Sequence, residues 1–154
     1  MPLVIAVSLV KLKLTKLQGN TKMPYLSHYT ETLQTELFNS TGAFFAFSQK
    51  QFDEAKQEGI KYASLGGGMI CPSDNIDALT GGLDSITTDG IKADIAANGL
   101  KVIIRRELAN HEAQITCDIS DTVDALTDYP GITRETIQAE WKDYFQHCVD
   151  NDCF

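Results

Sequence analysis

Leu100-Lys101-Val102-Ile103-Ile104-Arg105-Arg106-Glu107-Leu108-Ala109-Asn110-His111-Glu112 is the stretch on which the reading of the chain turns. Leu100, Ile104, Leu108 and His111 recur at helical spacing and share one face. A helix that buries such a face needs partners, and the flanking sequence supplies them. Upstream, a short helix is expected over about 89–98, stopped by Asn98-Gly99. Downstream, Asp118 or Ser120 opens another short helix with Ile119, Val123 and Leu126 inward. Tyr129-Pro130-Gly131 breaks it. The last helix is the best marked. Thr133 caps it, and Ile132 can reach Ile137 as a hydrophobic staple. Ile137, Trp141, Tyr144, Phe145 and Cys148 then form its apolar stripe.

Working back toward the N-terminus, Leu26, Tyr29, Leu33 and Leu37 mark a helix that Ser27 can cap and Gly42 stops. Ala43–Phe47 reads as a buried strand of aromatic character, so Phe44, Phe45, Phe47 and Phe52 are expected in the core. Ser48 with Gln51 makes a capping box for a helix over about 49–58, ended by Gly59. Ile60–Leu65 and Met69–Cys71 read as strands joined by Gly66-Gly67-Gly68. Ser73 or Asp74 opens a helix carrying Ile76, Leu79, Leu83 and Ile86. Gly81-Gly82 weakens it by about 1 kcal/mol per glycine, enough to split it. The sum is a mostly helical α+β domain: five or six helices packed with a small two- to three-stranded antiparallel sheet. That domain is expected to span residues 23–154. Residues 1–22 read as a poorly ordered or extraneous tail, with Met23 an alternative start and Leu3–Val10 an alternative edge strand.

Composition bounds the function. Of the 154 residues, 43% are hydrophobic, enough for a core. Net charge is −8 and unevenly placed. Residues 1–22 carry Lys11, Lys13, Lys16 and Lys22 and no acid, which leaves −12 on the remainder. Such a body repels nucleic acid and anionic membrane. It suits a basic protein surface instead, including one that normally holds nucleic acid. No apolar run approaches a membrane span, and the expected location is cytoplasmic. Cys71, Cys117, Cys148 and Cys153 form no Cys-x-x-Cys pair, so reduced thiols are expected.

Chemistry-bearing groups cluster around His111. Glu107 lies four residues before it, and Glu112 and Asp118 follow. An imidazole oriented by a carboxylate can act as a general base, and with further carboxylates it can hold a divalent ion. Ile115 stands where a His-Glu-x-x-His motif needs its second histidine. The structural alternative makes His111 a helix-end histidine favoured by the dipole, with Asp118 and Asp121 as caps. No metal and no cofactor are expected. His147 and Cys148 diverge on a helix and make a poor metal pair. Gly66–Gly68 lacks the Lys and Ser/Thr of a phosphate loop, which leaves a hairpin turn or a ligand-sensing loop.

Two segments carry a family resemblance. Gly42-Ala43-Phe44-Phe45-Ala46-Phe47-Ser48 with Gln51-Phe52-Asp53-Glu54, and later Glu107-Leu108-Ala109-Asn110-His111-Glu112, resemble a family of small uncharacterised proteins from phages, plasmids and conjugative elements. The resemblance runs on through an acidic helix like Asp118–Leu126 and a Thr-capped helix like Thr133–Gln138. Asn110, His111 and Glu112 are its signature residues. No activity comes with it. The context it implies is an accessory factor that blocks a host defence protein, of anti-CRISPR or anti-restriction type, by covering a basic surface. Asp74, Asp77, Asp118, Asp121, Asp124, Asp150 and Asp152 are the expected contacts. The competing expectation is a small metal-dependent or hydrolytic enzyme centred on His111, Glu112 and Asp118.

Overall fold

A computed structural model describes residues 24–154. The expectations for residues 1–22 lie outside them. Seven α-helices and three strands follow in order: α1 (Ser27–Thr41), β1 (Phe44–Phe45), α2 (Gln49–Ala55), β2 (Tyr62–Gly66), β3 (Met69–Pro72), α3 (Ile76–Asn98), α4 (Leu100–Asn110), α5 (Ala113–Thr116), α6 (Ser120–Ala125) and α7 (Arg134–Asn151). A 3-10 turn, Ser73–Asn75, precedes α3. The fold is the mostly helical α+β class read from the sequence, with the sheet antiparallel in the order β1-β3-β2.

The paired glycines do not split α3. It runs unbroken for 23 residues, through Gly81-Gly82 and over the segment expected as a separate helix. The reason is packing. A Cβ on Gly82 would sit 2.7 Å from Leu37 of α1, and one on Gly90 would sit 2.5 Å from Thr30. The missing side chains let α1 and α3 approach closely. As the contacts move forward along α3 they move back along α1, so the two helices are antiparallel. Burial at this seam outweighs the propensity cost of the glycines.

Several boundaries differ from expectation. Leu26 is already helical in φ and ψ, so Ser27 lies inside α1 and makes no cap. Leu33 is 48% exposed, because α1 turns Thr30 rather than Leu33 toward α3. The Ser48 cap forms, with its Oγ accepting from Gln51 N–H at 3.2 Å, while Gln51 Oε1 accepts from Phe47 N–H at 2.7 Å. α2 ends at Ala55, short of Gly59. Lys56 turns extended there, and Gln57 N–H donates to Tyr62 Oη at 3.0 Å. Ala43–Phe47 is not a buried strand. Only Phe44 and Phe45 pair with β3, opposite Ile70 and Met69. Phe44 packs with Phe52 and Tyr62, but Phe45 and Phe47 face solvent.

The main core lies in the C-terminal half. Ile91 of α3, Ile103, Ile104 and Leu108 of α4, Ala113, Ile119, Leu126, Tyr129 and Ile132, and Ile137, Tyr144 and Cys148 of α7 form one buried cluster. Thr133 closes a reciprocal capping box with Thr136, and Ile132 and Ile137 are both buried, as the staple requires. α4 follows α3 directly across Gly99, which holds φ at +77°. That sharp joint folds α4 back against α3 and α7 and sets up the site described next.

Candidate functional site

α4 buries two charges beside its apolar residues. Arg106 and Glu107 lie inward with Ile103, Ile104 and Leu108. Asp94 of α3 is fully buried opposite them. The Arg106 guanidinium meets the Asp94 carboxylate as a fork, with Nη1 to Oδ1 and Nη2 to Oδ2 both at 2.9 Å. Tyr129 Oη donates to Asp94 Oδ2 at 2.6 Å, and Asn98 Nδ2 donates to Oδ1 at 2.8 Å. Arg106 also donates to Glu107 Oε1 and to the Pro24 carbonyl. Its guanidinium carbon lies 5.7 Å from the centre of the Tyr25 ring. One cluster therefore ties the chain before α1 to α3, α4 and the Tyr129 loop.

A buried ion is tolerated only when its polar atoms are matched. Here they are: among the described residues no buried side-chain nitrogen or oxygen lacks a partner. Burial alone would raise the Asp94 carboxyl. Hydrogen bonds from Arg106, Tyr129 and Asn98, with the Arg106 charge, outweigh it and hold the group below the usual carboxylate value. Burial would likewise make Arg106 easier to deprotonate. Its bonds to Asp94 and Glu107 reverse that and raise it further. Tyr129 is raised by burial and by its bond to Asp94, so it stays a neutral donor.

The outer edge of this cluster opens to solvent. A cleft of about 360 Å³ lies between Tyr25, Leu26 and Ser27 on one side and Glu107, Asn110, Ala125 and Tyr129 on the other. Glu107 links the cleft to His111, whose Nε2 lies 3.7 Å from Glu107 Oε2. The Glu107 backbone carbonyl also accepts from Thr122 of α6. The cleft can receive a small polar group between a carboxylate and an amide.

The expected site residues separate. Asn110 lines the cleft and His111 borders it. Glu112 is exposed in left-handed backbone, with φ at +50°, leading into the four-residue α5. Asp118 is exposed, and its Oδ1 accepts from Ser120 N–H at 2.9 Å, which lowers its carboxyl. His111 is in contact with Glu107 rather than with Glu112 or Asp118. Among the described residues no three His, Cys, Asp or Glu side chains are arranged to hold a metal.

The seven aspartates are all exposed but fall at two ends of the fold. Asp74 lies in the 3-10 turn before α3 and Asp77 in its first turn, about 25 Å along the axis from Asp94. Asp118, Asp121 and Asp124 surround α6. Asp150 and Asp152 end α7, whose terminus meets α5 through Gln114 and the Cys153 carbonyl. The charges that do build the interior, Asp94 and Arg106, were not among the expected site residues. The available signal was a charged residue falling on an apolar helix face, Asp94 between Ile91 and Ile95 and Arg106 between Ile103 and Leu108.

These features define a small helical α+β domain organised around a buried ion-pair network, with an acidic exterior. The chain belongs to a family of unknown function (DUF7659), whose model matches residues 26–147. No curated protein matches it, and no solved structure matches it. Among the described residues no helix is long and apolar enough to cross a membrane.

Proposed function

We propose that this protein is a cytoplasmic accessory factor of a mobile genetic element that binds a basic host protein and occludes it. The partner class is a nucleic-acid-binding defence effector, which makes the role anti-CRISPR or anti-restriction in type. The observation that carries this reading is charge: residues 24–154 hold nine basic and 21 acidic side chains. Nearly all the acids are exposed, and the two most enclosed, Asp94 and Glu107, are bonded to Arg106. An acidic exterior on a helical frame can compete with nucleic acid for a basic groove. The test is capture of a basic effector by the tagged protein in a host carrying a defence system. Charge reversal at Asp74, Asp77, Asp118, Asp121, Asp124, Asp150 and Asp152 should abolish both capture and protection. Recovery of no basic partner, or protection that survives the reversal, would reject the reading.

A second reading, a small metal-dependent or hydrolytic enzyme centred on His111, Glu112 and Asp118, rests on one contact. Glu107 Oε2 lies 3.7 Å from His111 Nε2, within ion-pair reach though beyond a hydrogen bond. A folded His111→Ala protein that loses function would favour chemistry. Loss only together with unfolding would favour the structural role.

A further inference from the structure

Phe38 of α1, Phe45 of β1 and Phe47 form a ladder of rings. Phe38 and Phe45 stack at 5.4 Å between centroids, and Phe45 and Phe47 at 6.2 Å with their planes 7° apart. Phe45 is 52% exposed and Phe47 75% exposed. The outermost ring nonetheless touches the fold. It lies against Gly68 of the β2–β3 turn, where any side chain would collide with it. Gln51 fixes the Phe47 backbone N–H. Two large apolar rings kept in solvent make an exposed patch of the kind that marks an interaction surface.

The surroundings of the ladder state the partner's chemistry. Residues 24–92 hold nine acidic side chains against four lysines, and Lys50, Lys56 and Lys92 are each paired with a nearby acid. That stretch supplies α1, β1, α2, β2, β3 and most of α3, and the ladder stands on α1 and β1. Glu31, Glu36, Asp74, Asp77 and Asp84 are exposed there, and none forms an ion pair among the described residues. The ladder is thus an exposed apolar feature on a net acidic half of the fold, which suits a basic partner.

We infer that the Phe45–Phe47 ladder is a docking site for a protein surface that presents arginines among apolar side chains. Phenylalanine faces attract guanidinium groups through the ring quadrupole, and arginine brings an apolar stem as well as a charge. Nucleic acid is disfavoured by this net acidic charge, and a second copy of the chain by like charge. The inference rests on the basic-partner reading above and places its apolar centre at residues outside the seven aspartates.

The test is a titration of the ¹⁵N-labelled protein, followed by NMR, with a short peptide alternating arginine and leucine. A lysine–glycine peptide of equal charge serves as control. The expected result is amide shifts centred on Ala46, Phe47 and Gly68, with the arginine–leucine peptide binding more tightly. Phe47→Ala should weaken that binding about tenfold, as loss of an interface hot spot does, and Phe47→Tyr should restore most of it. Phe47 is exposed, so both variants should keep the wild-type spectrum elsewhere. Absence of binding, equal binding of the two peptides, or shifts centred on Asp118–Asp124 would overturn the docking site. Effector capture separates the two readings. Capture that survives Phe47→Ala but not aspartate reversal rejects this site alone. Capture that survives aspartate reversal and fails with Phe47→Ala keeps this site and rejects the acid-led occlusion.

Discussion

Arg106 and Asp94 meet through two parallel N–H···O bonds of 2.9 Å, with side chains only 4% and 0% exposed. Such a pair holds geometry more than it adds net energy, because desolvation offsets much of the attraction. Breaking one side is a different matter. Arg106→Leu should cost about 3–5 kcal/mol, since it leaves the buried Asp94 charge without its counter-ion and Glu107 Oε1 and the Pro24 carbonyl without their donor. Asp94→Leu combined with Arg106→Leu should be less damaging than Arg106→Leu alone. Urea unfolding of both single variants and of the double checks both statements. A double variant as unstable as the sum of its parts would show that the pair is not coupled.

The same pair sets a pH dependence. The Asp94 carboxyl is lowered in the fold relative to an ordinary aspartate. The unfolded chain therefore binds the proton more readily, and stability rises with pH wherever that difference is titrated. The contribution is complete above the unfolded value, about pH 4. It fades as pH falls through the folded value below it. Wild type should lose stability on acidification below about pH 4 more steeply than a folded Asp94→Asn variant. Melting temperatures between pH 2 and 6 measure the difference, and parallel curves would exclude Asp94 as the source.

The helix-rich fold was legible because periodic apolar spacing and caps such as Thr133 and Ser48 are local properties. Expectation failed where long-range packing decides. Gly81-Gly82 looks like a break until Leu37 is placed against Gly82. Phe45 and Phe47 look like core until β1 turns out to be two residues long on the sheet edge. The Asp94–Arg106 pair spans 12 residues and a Gly99 joint whose angle no local pattern specifies. His111 was placed well as a helix end, since its N–H closes on the Glu107 carbonyl at 3.0 Å. Its carboxylate neighbour is Glu107 rather than Asp118, because left-handed backbone at Glu112 and Cys117 turns the chain away between them.

The three α3 glycines should respond differently to alanine. Propensity alone predicts a gain of about 1 kcal/mol at each. A Cβ on Gly81 meets nothing within 4 Å, so Gly81→Ala should stabilise by up to that amount. Gly90→Ala should destabilise, because its Cβ would lie 2.5 Å from Thr30 Cγ2 at a buried seam. Overpacking of this kind costs about 1–3 kcal/mol. Gly82→Ala should fall between them, since Leu37 can change rotamer. Thermal melts of the three variants give the order, and a stabilised Gly90→Ala would refute the close approach of α1 and α3.

The four thiols should divide into two pairs by reactivity. Cys117 and Cys153 are exposed, while Cys71 and Cys148 are fully buried. Burial raises the Cys71 thiol, which lowers the thiolate fraction that reacts. Cys153 is exposed, yet slight desolvation and its contact with Cys148 raise it too. Cys153 N–H bonds the Cys148 carbonyl at 3.0 Å and so holds the two residues together across the end of α7. With a maleimide at neutral pH, Cys117 should label first and Cys153 more slowly. Cys71 and Cys148 should label only on unfolding. Raising the pH by one unit should speed Cys153, because more of it becomes thiolate. Peptide mapping by mass spectrometry reads the order directly. Early labelling of Cys148 would mean that the end of α7 opens in the native protein and that its packing against Tyr144 and Gln114 is weaker than the structure indicates.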